Sequence, residues 1–381
     1  MIKLVSDTIS SMDIDRLREW LSKYPRLTMG EETKKFEEEW SEWLGRKYSV
    51  FVNSGSSANL VMIYALKYQF GVKKMAVPAL SWSTDLAPLI QFGIEPVLID
   101  CNMKDLSMDL DHLEEVLEAD VDVDSVLFVS VLGLVPDMLR VKRLCDKHGV
   151  YLIEDNCESM GSKRGQVKLG THGLMSTHSL YFGHHISTIE GGLISTDHKD
   201  LYDLLLMLRS HGWARDVDID TRKVLRNLWS VDEFLELYTF YVPGFNVRST
   251  DLQAFLGRLQ MKKLDEVCRR RFDNFALYRD ILSGAGMWVP EVTWIDWVSN
   301  FAYPVISSER EWIVKRLKEN MVETRPLIAG SMGDQPFYKR IYGKKYLANA
   351  HKVDQQGFYV PNHANLTATE IKRVCRLITT Y

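Results

Sequence analysis

Val150-Tyr-Leu-Ile-Glu-Asp-Asn-Cys-Glu158 sets a short apolar run directly against three acids. Residues 150–153 are too few for a helix and have the composition of a buried strand, so the acids fall at its carboxyl end. Outward from this stretch the same alternation recurs. Toward the N-terminus, Tyr48–Val52 reads as a strand, Ser54-Gly-Ser-Ser57 as a turn, and Leu60, Ile63, Tyr64 and Lys67 repeat with helical period. Met75–Val77 and Pro96–Ile99 are further strands, separated by a loop holding Trp82 and a helix through Leu86, Leu89 and Ile90. Asp109 caps a helix with Leu110, Leu113 and Leu117; the apolar run Val126–Leu132 and a helix over Met138–His148 follow. Several of these strands are apolar on both faces. That is the pattern of an α/β protein with a mostly parallel sheet covered by helices on both sides. Such sheets hold ligands beyond the carboxyl ends of their strands, where Glu154, Asp155 and Glu158 stand.

Ahead of the sheet, Ser10 and Ser11 precede a helical face of Ile14, Leu17, Trp20 and Leu21. A second helix carries Phe36, Trp40 and Trp43, with Gly45 at its C-terminal cap. Beyond it, residues 199–211 and 250–282 read as helices, the latter turning Leu252, Phe255, Leu256, Leu259 and Leu264 to the core. After the break at Ser283-Gly-Ala-Gly286 come a strand over Phe301–Ile306, a helix over Glu309–Asn320, a short strand Phe358–Val360 and a last helix from Thr367 to Ile378. This divides the chain into residues 1–250, an N-terminal segment with the large α/β domain, and residues 251–381, a connecting helix with a small α+β domain.

A length of 381 residues, 46% of them hydrophobic, is ample for a large core, and a net charge of −4 gives no electrostatic case for a nucleic-acid partner. Five scattered cysteines with no C-x-x-C pair suit a reducing cytoplasm and argue against a zinc or iron–sulfur site. The N-terminus has no signal-peptide pattern, and no window approaches the roughly 18 apolar residues of a membrane span.

Three stretches could carry chemistry. Ser54-Gly55-Ser56-Ser57 joins a strand to a helix, where backbone N–H groups and hydroxyls could hold a phosphate; a capped turn is the plain alternative. Asp155 follows an apolar strand, so burial there would call for a cationic partner; a solvated loop is the alternative. In Ser179-Leu-Tyr-Phe-Gly-His-His-Ile-Ser-Thr-Ile-Glu-Gly-Gly192, two strands meet at a turn carrying His184, His185 and Glu190. Neighbouring histidines on an extended chain point opposite ways, which disfavours a shared metal.

The order of these pieces resembles the DegT/DnrJ/EryC1/StrS family of sugar aminotransferases, over nearly the whole chain. The matching motifs are Ser54-Gly-Ser-Ser-Ala-Asn59, Pro78-Ala-Leu-Ser-Trp82, Glu154-Asp155, Ser179-Leu-Tyr181, Glu190-Gly-Gly192, Arg209-Ser-His-Gly212 and Pro243-Gly-Phe-Asn-Val-Arg248. The resemblance implies a fold-type I pyridoxal-phosphate enzyme like aspartate aminotransferase, with a mostly parallel seven-stranded sheet and a small C-terminal α+β domain. In the family's aminotransferases a lysine six residues before Glu-Gly-Gly holds the cofactor covalently. Six before Glu190 stands His184, and Lys168 and Lys199 lie too far along the chain to replace it.

Histidine at this position resembles the family's 3-dehydratase branch, which acts on GDP-4-keto-6-deoxy-D-mannose. That resemblance implies a nucleotide-linked 4-keto-6-deoxy sugar as substrate, loss of its C3 hydroxyl, and a place in deoxysugar and lipopolysaccharide O-antigen biosynthesis. The cofactor, pyridoxal 5'-phosphate used as pyridoxamine 5'-phosphate, would be bound non-covalently, with L-glutamate restoring its amine. His184 would move the proton, since imidazole serves as acid and base near neutrality. By position, Gly55, Ser56, Ser57 and Ser179 would bind the cofactor phosphate, with Asn246 reaching it from the second subunit of a homodimer. Trp82 would cover the ring, Asp155 pair with its nitrogen and Glu158 meet its hydroxyl. His211, Arg215 and Arg325 would lie on the substrate side. Alternatives are an aminotransferase of the same family and a catalytically silent homologue that binds nucleotide sugar or cofactor. Against the silent homologue, Asp155, the serine-rich turn and Glu190 occur together.

Overall fold

A computed structural model describes residues 1–380. Two helices open the chain, α1 (Ser11–Leu21) and α2 (Glu31–Leu44), the second stopped by Gly45 in the left-handed conformation. Strands and helices then alternate: β1 (Tyr48–Val52), α3 (Gly55–Phe70), β2 (Lys74–Pro78), α4 (Ser83–Gln91), β3 (Glu95–Ile99), α5 (Leu110–Ala119), β4 (Ser125–Val129), α6 (Met138–His148) and β5 (Tyr151–Asp155). Two-residue strands β6 (Lys163–Arg164) and β7 (Val167–Lys168) lead into β8 (Met175–Ser179) and β9 (Gly192–Thr196). Helices α7 (Lys199–Arg209), α8 (Ile219–Leu228) and the 34-residue α9 (Asp251–Gly284) follow. The chain closes with β10 (Asp296–Trp297), β11 (Tyr303–Ile306), α10 (Arg310–Glu319), β12 (Arg325–Pro326), α11 (Pro336–Tyr342), α12 (Ala348–Gln356), β13 (Gly357–Val360) and α13 (Ala368–Thr379).

The central sheet has seven strands in the order β1-β9-β8-β5-β4-β2-β3. The pairs from β8 through β3 are parallel, and β9 runs against both its neighbours, β1 and β8. Six strands therefore end at one edge, which gathers Asn53–Ser57, Ala79–Trp82, Asp155–Glu158 and the stretch after Ser179. Val126, Leu127, Phe128 and Ile153 are fully buried, which is why these strands carry apolar residues on both faces. A second, three-stranded antiparallel sheet, β11-β13-β12, packs on α9, whose Phe275 and Tyr278 lie 5.6 and 4.8 Å from Tyr303 between ring centroids.

A separate apolar cluster lies under the loop between β8 and β9. Phe36, Trp40 and Phe51 pack there with Leu180, Ile186 and Leu264, so the loop carrying His184 is anchored at two points on a fixed base.

The structure departs from the periodicity in three places. The run Val126–Leu132 is not one strand: β4 stops at Val129, and Val131–Gly133 forms a 3-10 turn with Leu132 at φ 52°. Tertiary bonds hold that turn. The Leu132 N–H donates to the Glu158 carboxyl at 2.8 Å, and its carbonyl accepts from the Asn300 amide at 2.7 Å. The apolar face of α1 is only partly covered; its one buried residue is Asp13, which accepts from Gln260 at 3.2 Å and pairs with Lys263. On α9, Leu252 and Phe255 are half-buried rather than core, with Phe255 stacked on Trp20 at 4.8 Å.

Candidate active site

Helix α3 begins inside the serine-rich stretch. Ser54 is the extended N-cap, its Oγ accepting the Ser57 N–H at 3.0 Å. The first amides of a helix lack partners within it and attract anions, so this end of α3 is suited to a phosphate. The glycines here are steric requirements. A Cβ on Gly55 would stand 2.6 Å from the Cβ of Ser179, and one on Gly192 would stand 2.3 Å from the Ser54 carbonyl oxygen. The end of β8, the start of β9 and the head of α3 thus close on one another, and Glu190-Gly-Gly192 is what lets them.

Asp155 is the last residue of β5 and is 6% exposed. Its Oδ1 accepts the Cys157 N–H at 2.8 Å and its Oδ2 accepts from the Asn59 amide at 2.5 Å. The partner expected for a carboxylate buried at this point is a cation, and neutral groups of the chain stand there instead. Two residues on, burial pushes the Cys157 thiol well up. Glu158 is pushed up to about 8, chiefly by burial, against the pull of the Leu132 N–H. At neutral pH it is mostly the neutral acid and can donate a hydrogen bond.

His184 lies in the loop between β8 and β9, where its N–H donates to the Tyr181 carbonyl at 2.9 Å. Its ring packs on Phe301 at 5.0 Å between centroids. Burial, reinforced by the charge of Arg271 and opposed by Asp155, pushes the imidazole down to about 4. It is therefore neutral, with a free lone pair, at physiological pH. Its Nδ1 is buried without a protein partner. Arg271 on α9 pins this region, donating to the carbonyls of His184 at 3.1 Å, Phe301 at 2.7 Å and Asn362 at 3.0 Å. His185 does not line the cavity; it is fully buried, with Nε2 at 2.9 Å from the Ser299 carbonyl.

These groups line one cavity of about 820 Å³. Ser54, Gly55, Ser56, Trp82, Asp155, Glu158, Ser179, His184, Glu190 and Arg325 all reach it. Trp82 precedes α4 and is 55% exposed, so a flat ring can lie against it. Ser57 is not at the cavity wall; it is half-buried, its hydroxyl bound by Ser54 at 3.0 Å. His211, Arg215 and Asn246 do not line the cavity of their own chain. His211 packs on Trp213 at 4.8 Å, Arg215 lies 3.7 Å over the same indole, and Asn246 is exposed, accepting from Arg248 at 3.1 Å. A second cavity, of about 450 Å³, sits beside α2 and α7, where its buried charges Glu37 and Arg209 neutralise each other at 2.5 Å.

Periodicity did not single out Asp85, the N-terminal residues Lys3, Leu4, Val5 and Asp7, or Phe301, Glu323 and Tyr359, all of which line the cavity. Asp85 carried a faint signal, as an acid three residues after the cap of α4. The N-terminal segment reaches the cavity because Ile2 bridges to Val322 and the Leu4 N–H donates to Glu323 at 3.0 Å. No local pattern announces such a pairing.

The donor set fits pyridoxal phosphate: a helix N-terminus narrowed by Gly55 for the phosphate, a carboxylate, an acid that can donate, an open indole face and an unpartnered imidazole nitrogen. Among the described residues, Lys3, itself exposed, is the one lysine at the cavity. Among them, too, no helix is long and apolar enough to cross a membrane.

The profile of the DegT/DnrJ/EryC1/StrS aminotransferase family matches residues 8–379. The chain is 34% identical over 372 residues to the GDP-4-keto-6-deoxy-D-mannose 3-dehydratase of Yersinia pseudotuberculosis, covering 92% of this chain and 91% of that protein. A histidine-to-asparagine variant of a GDP-4-keto-6-deoxymannose-3-dehydratase with bound GDP-perosamine has a TM-score of 0.92 at 30% identity, over 99% of this chain and 100% of that one. A GDP-4-keto-6-deoxymannose-3-dehydratase with a trapped PLP-glutamate geminal diamine gives 0.90 at 30% identity, over 99% of this chain and 100% of that one. The expected α/β fold of the PLP-dependent aminotransferases is therefore the observed one.

Proposed function

This chain belongs to the DegT/DnrJ/EryC1/StrS aminotransferase family, and within it we propose that it is a PLP-dependent 3-dehydratase of a nucleotide-linked 4-keto-6-deoxy sugar, GDP-4-keto-6-deoxy-D-mannose. The observation that carries the reading is His184, a neutral imidazole lining the same cavity as Asp155, at the chain position where the family's aminotransferases have their cofactor-binding lysine.

When bound, the cofactor supplies an amine to engage the C4 keto group of the sugar and a ring that accepts electrons. The protein supplies position and proton traffic. The head of α3, with Gly55, Ser56 and Ser179, holds the phosphate, and Ser57 supports it from behind through Ser54. Asp155 keeps the ring nitrogen protonated. Glu158, as the neutral acid, donates to the ring hydroxyl, and Trp82 covers the ring face. His184, its lone pair free, would act as the base and acid of the cavity, taking up a proton and returning it to the oxygen that leaves C3 as water. An imidazole cannot replace lysine as a covalent anchor, so the cofactor would be held non-covalently, water rather than a lysine amine would free the sugar with release of ammonia, and glutamate would restore the amine. Arg325, exposed at the rim, faces the nucleotide.

The reading includes a homodimer. Its support is the segment 219–240, where α8 buries no residue and Leu228, Trp229, Phe234 and Tyr238 are 64–87% exposed. A second copy covering this face would bring Asn246, and with it His211 and Arg215, toward the other chain's cavity. The test is incubation with GDP-4-keto-6-deoxymannose, PLP and glutamate, reading the mass of the sugar. Loss of one oxygen is expected; an unchanged or aminated sugar would overturn the reading.

A further inference from the structure

Asn59, on α3, stands between two carboxylates beneath the cavity. Its amide nitrogen donates to Asp85 Oδ1 at 2.9 Å and to Asp155 Oδ2 at 2.5 Å, and its amide oxygen accepts the Thr177 hydroxyl at 2.6 Å. Both amide hydrogens are used, so the side chain has one orientation. On the far side, Asp85 Oδ2 accepts the Trp82 N–H at 3.1 Å and the Ser81 hydroxyl. Asn59, Ser81, Asp85 and Thr177 are all at most 1% exposed.

Capping of α4 accounts for the bonds from Asp85 to Trp82 and Ser81. It does not account for the other oxygen of Asp85, which points inward to a second carboxylate. Burial, and then the charge of Asp155, push the Asp85 carboxyl well up.

We propose that Asp85 is a positioning residue that, through Asn59, fixes Asp155 and Trp82 as one unit, so that the edge and the face of the cofactor ring are gripped together. The proposal rests on the reading of this cavity as the PLP site and adds a residue to it. Asp85 touches no ligand in this account; it acts through Asn59 on one side and the backbone of Trp82 on the other.

Asp85→Ala tests it, because alanine offers no acceptor to Asn59 or to the backbone of Trp82 and removes the relay. PLP dissociation constants are measured by equilibrium dialysis for the native chain, Asp85→Ala and Asn59→Ala, each with and without Asp155→Ala. Loss of buried hydrogen bonds should weaken PLP binding about 10- to 100-fold for either change in the native background. In the Asp155→Ala background the further loss should be several-fold smaller, because only the Trp82 side of the relay remains to be disturbed. An equal loss in both backgrounds would mean a merely structural role and would overturn the proposal, as would affinities within about twofold of native. If Asp85→Ala does not fold, Asn59→Ala carries the same test. A native chain that binds no PLP overturns this proposal and the cavity reading together. One that binds PLP but leaves the sugar intact overturns only the proposed reaction.

Discussion

Asp155, Ser179 and His184 sit in a floor where strand ends, helix heads and side-chain amides bind one another, whereas His211, Arg215 and Asn246 sit on a flank that faces outward. In the floor, Asp155 is fixed by two neighbours at 2.8 and 2.5 Å, and His184 is pinned through its backbone by Arg271. On the flank, α8 buries nothing, and the segment 219–240 is stapled to itself by Arg222 and Arg226 against Glu236, at 2.7 and 3.4 Å. The flank carries Asn246, which family resemblance puts at the cofactor phosphate of a second subunit, and His211 and Arg215, which it puts near the substrate, on a surface with no cavity of its own. Proton transfer and the grip on the cofactor ring should therefore depend on the floor, and the Asn246 phosphate contact and substrate-side contacts on what the flank meets.

The largest expected effect is in the floor. His184→Asn should lower kcat by about 10²- to 10⁴-fold, the usual worth of a general acid–base group, while leaving PLP affinity nearly unchanged. In the native protein the acid limb of kcat should lie near pH 4 rather than near 6.5. His184 is neutral above its depressed value, so activity is lost as pH falls through that value. A limb near 6.5, or a kcat unaffected by the change, would shift the chemistry away from this residue.

Glu158 gives an intermediate test. Below about 8 it is the neutral acid and can donate; as pH rises through 8 it ionises beside Asp155 and the donor is lost. PLP affinity should fall about tenfold between pH 7 and 9 in the native protein and stay flat in Glu158→Gln, which keeps a donor at every pH. Equal slopes in the two proteins would remove Glu158 from the cofactor contacts.

The smallest effect on the single chain should come from the flank. Trp229→Ser with Phe234→Ser removes two side chains that are 64% and 87% exposed, and should change unfolding free energy by less than about 0.5 kcal/mol per site. Sedimentation should nevertheless show weakened self-association. A large loss of stability with unchanged association would contradict the division between floor and flank.

Much of the floor was legible because local patterns encode it. Apolar runs on both faces gave the parallel strands, Ser54 and Gly55 mark a helix head, and Asp155 stands where β5 runs out. Other parts depend on pairings distant in sequence. Leu132 leaves the strand because Glu158 and Asn300 claim its backbone, and Asp85 matters only because Asn59 brings Asp155 to it. Lys3, Leu4, Val5 and Asp7 join the cavity through Val322 and Glu323, more than 300 residues away. The flank was the least legible. No apolar periodicity separates a face built for another chain from one left to water, and His211, Arg215 and Asn246 were placed only by resemblance.

The most direct test of the central account follows the amino nitrogen. The protein is incubated with GDP-4-keto-6-deoxymannose, PLP and 15N-labelled glutamate, and the label is traced in ammonia and in the sugar. With His184 in place of a lysine, the label should appear in ammonia and the sugar should be nitrogen-free and one oxygen lighter. Label retained in the sugar would show an aminotransferase and contradict the account.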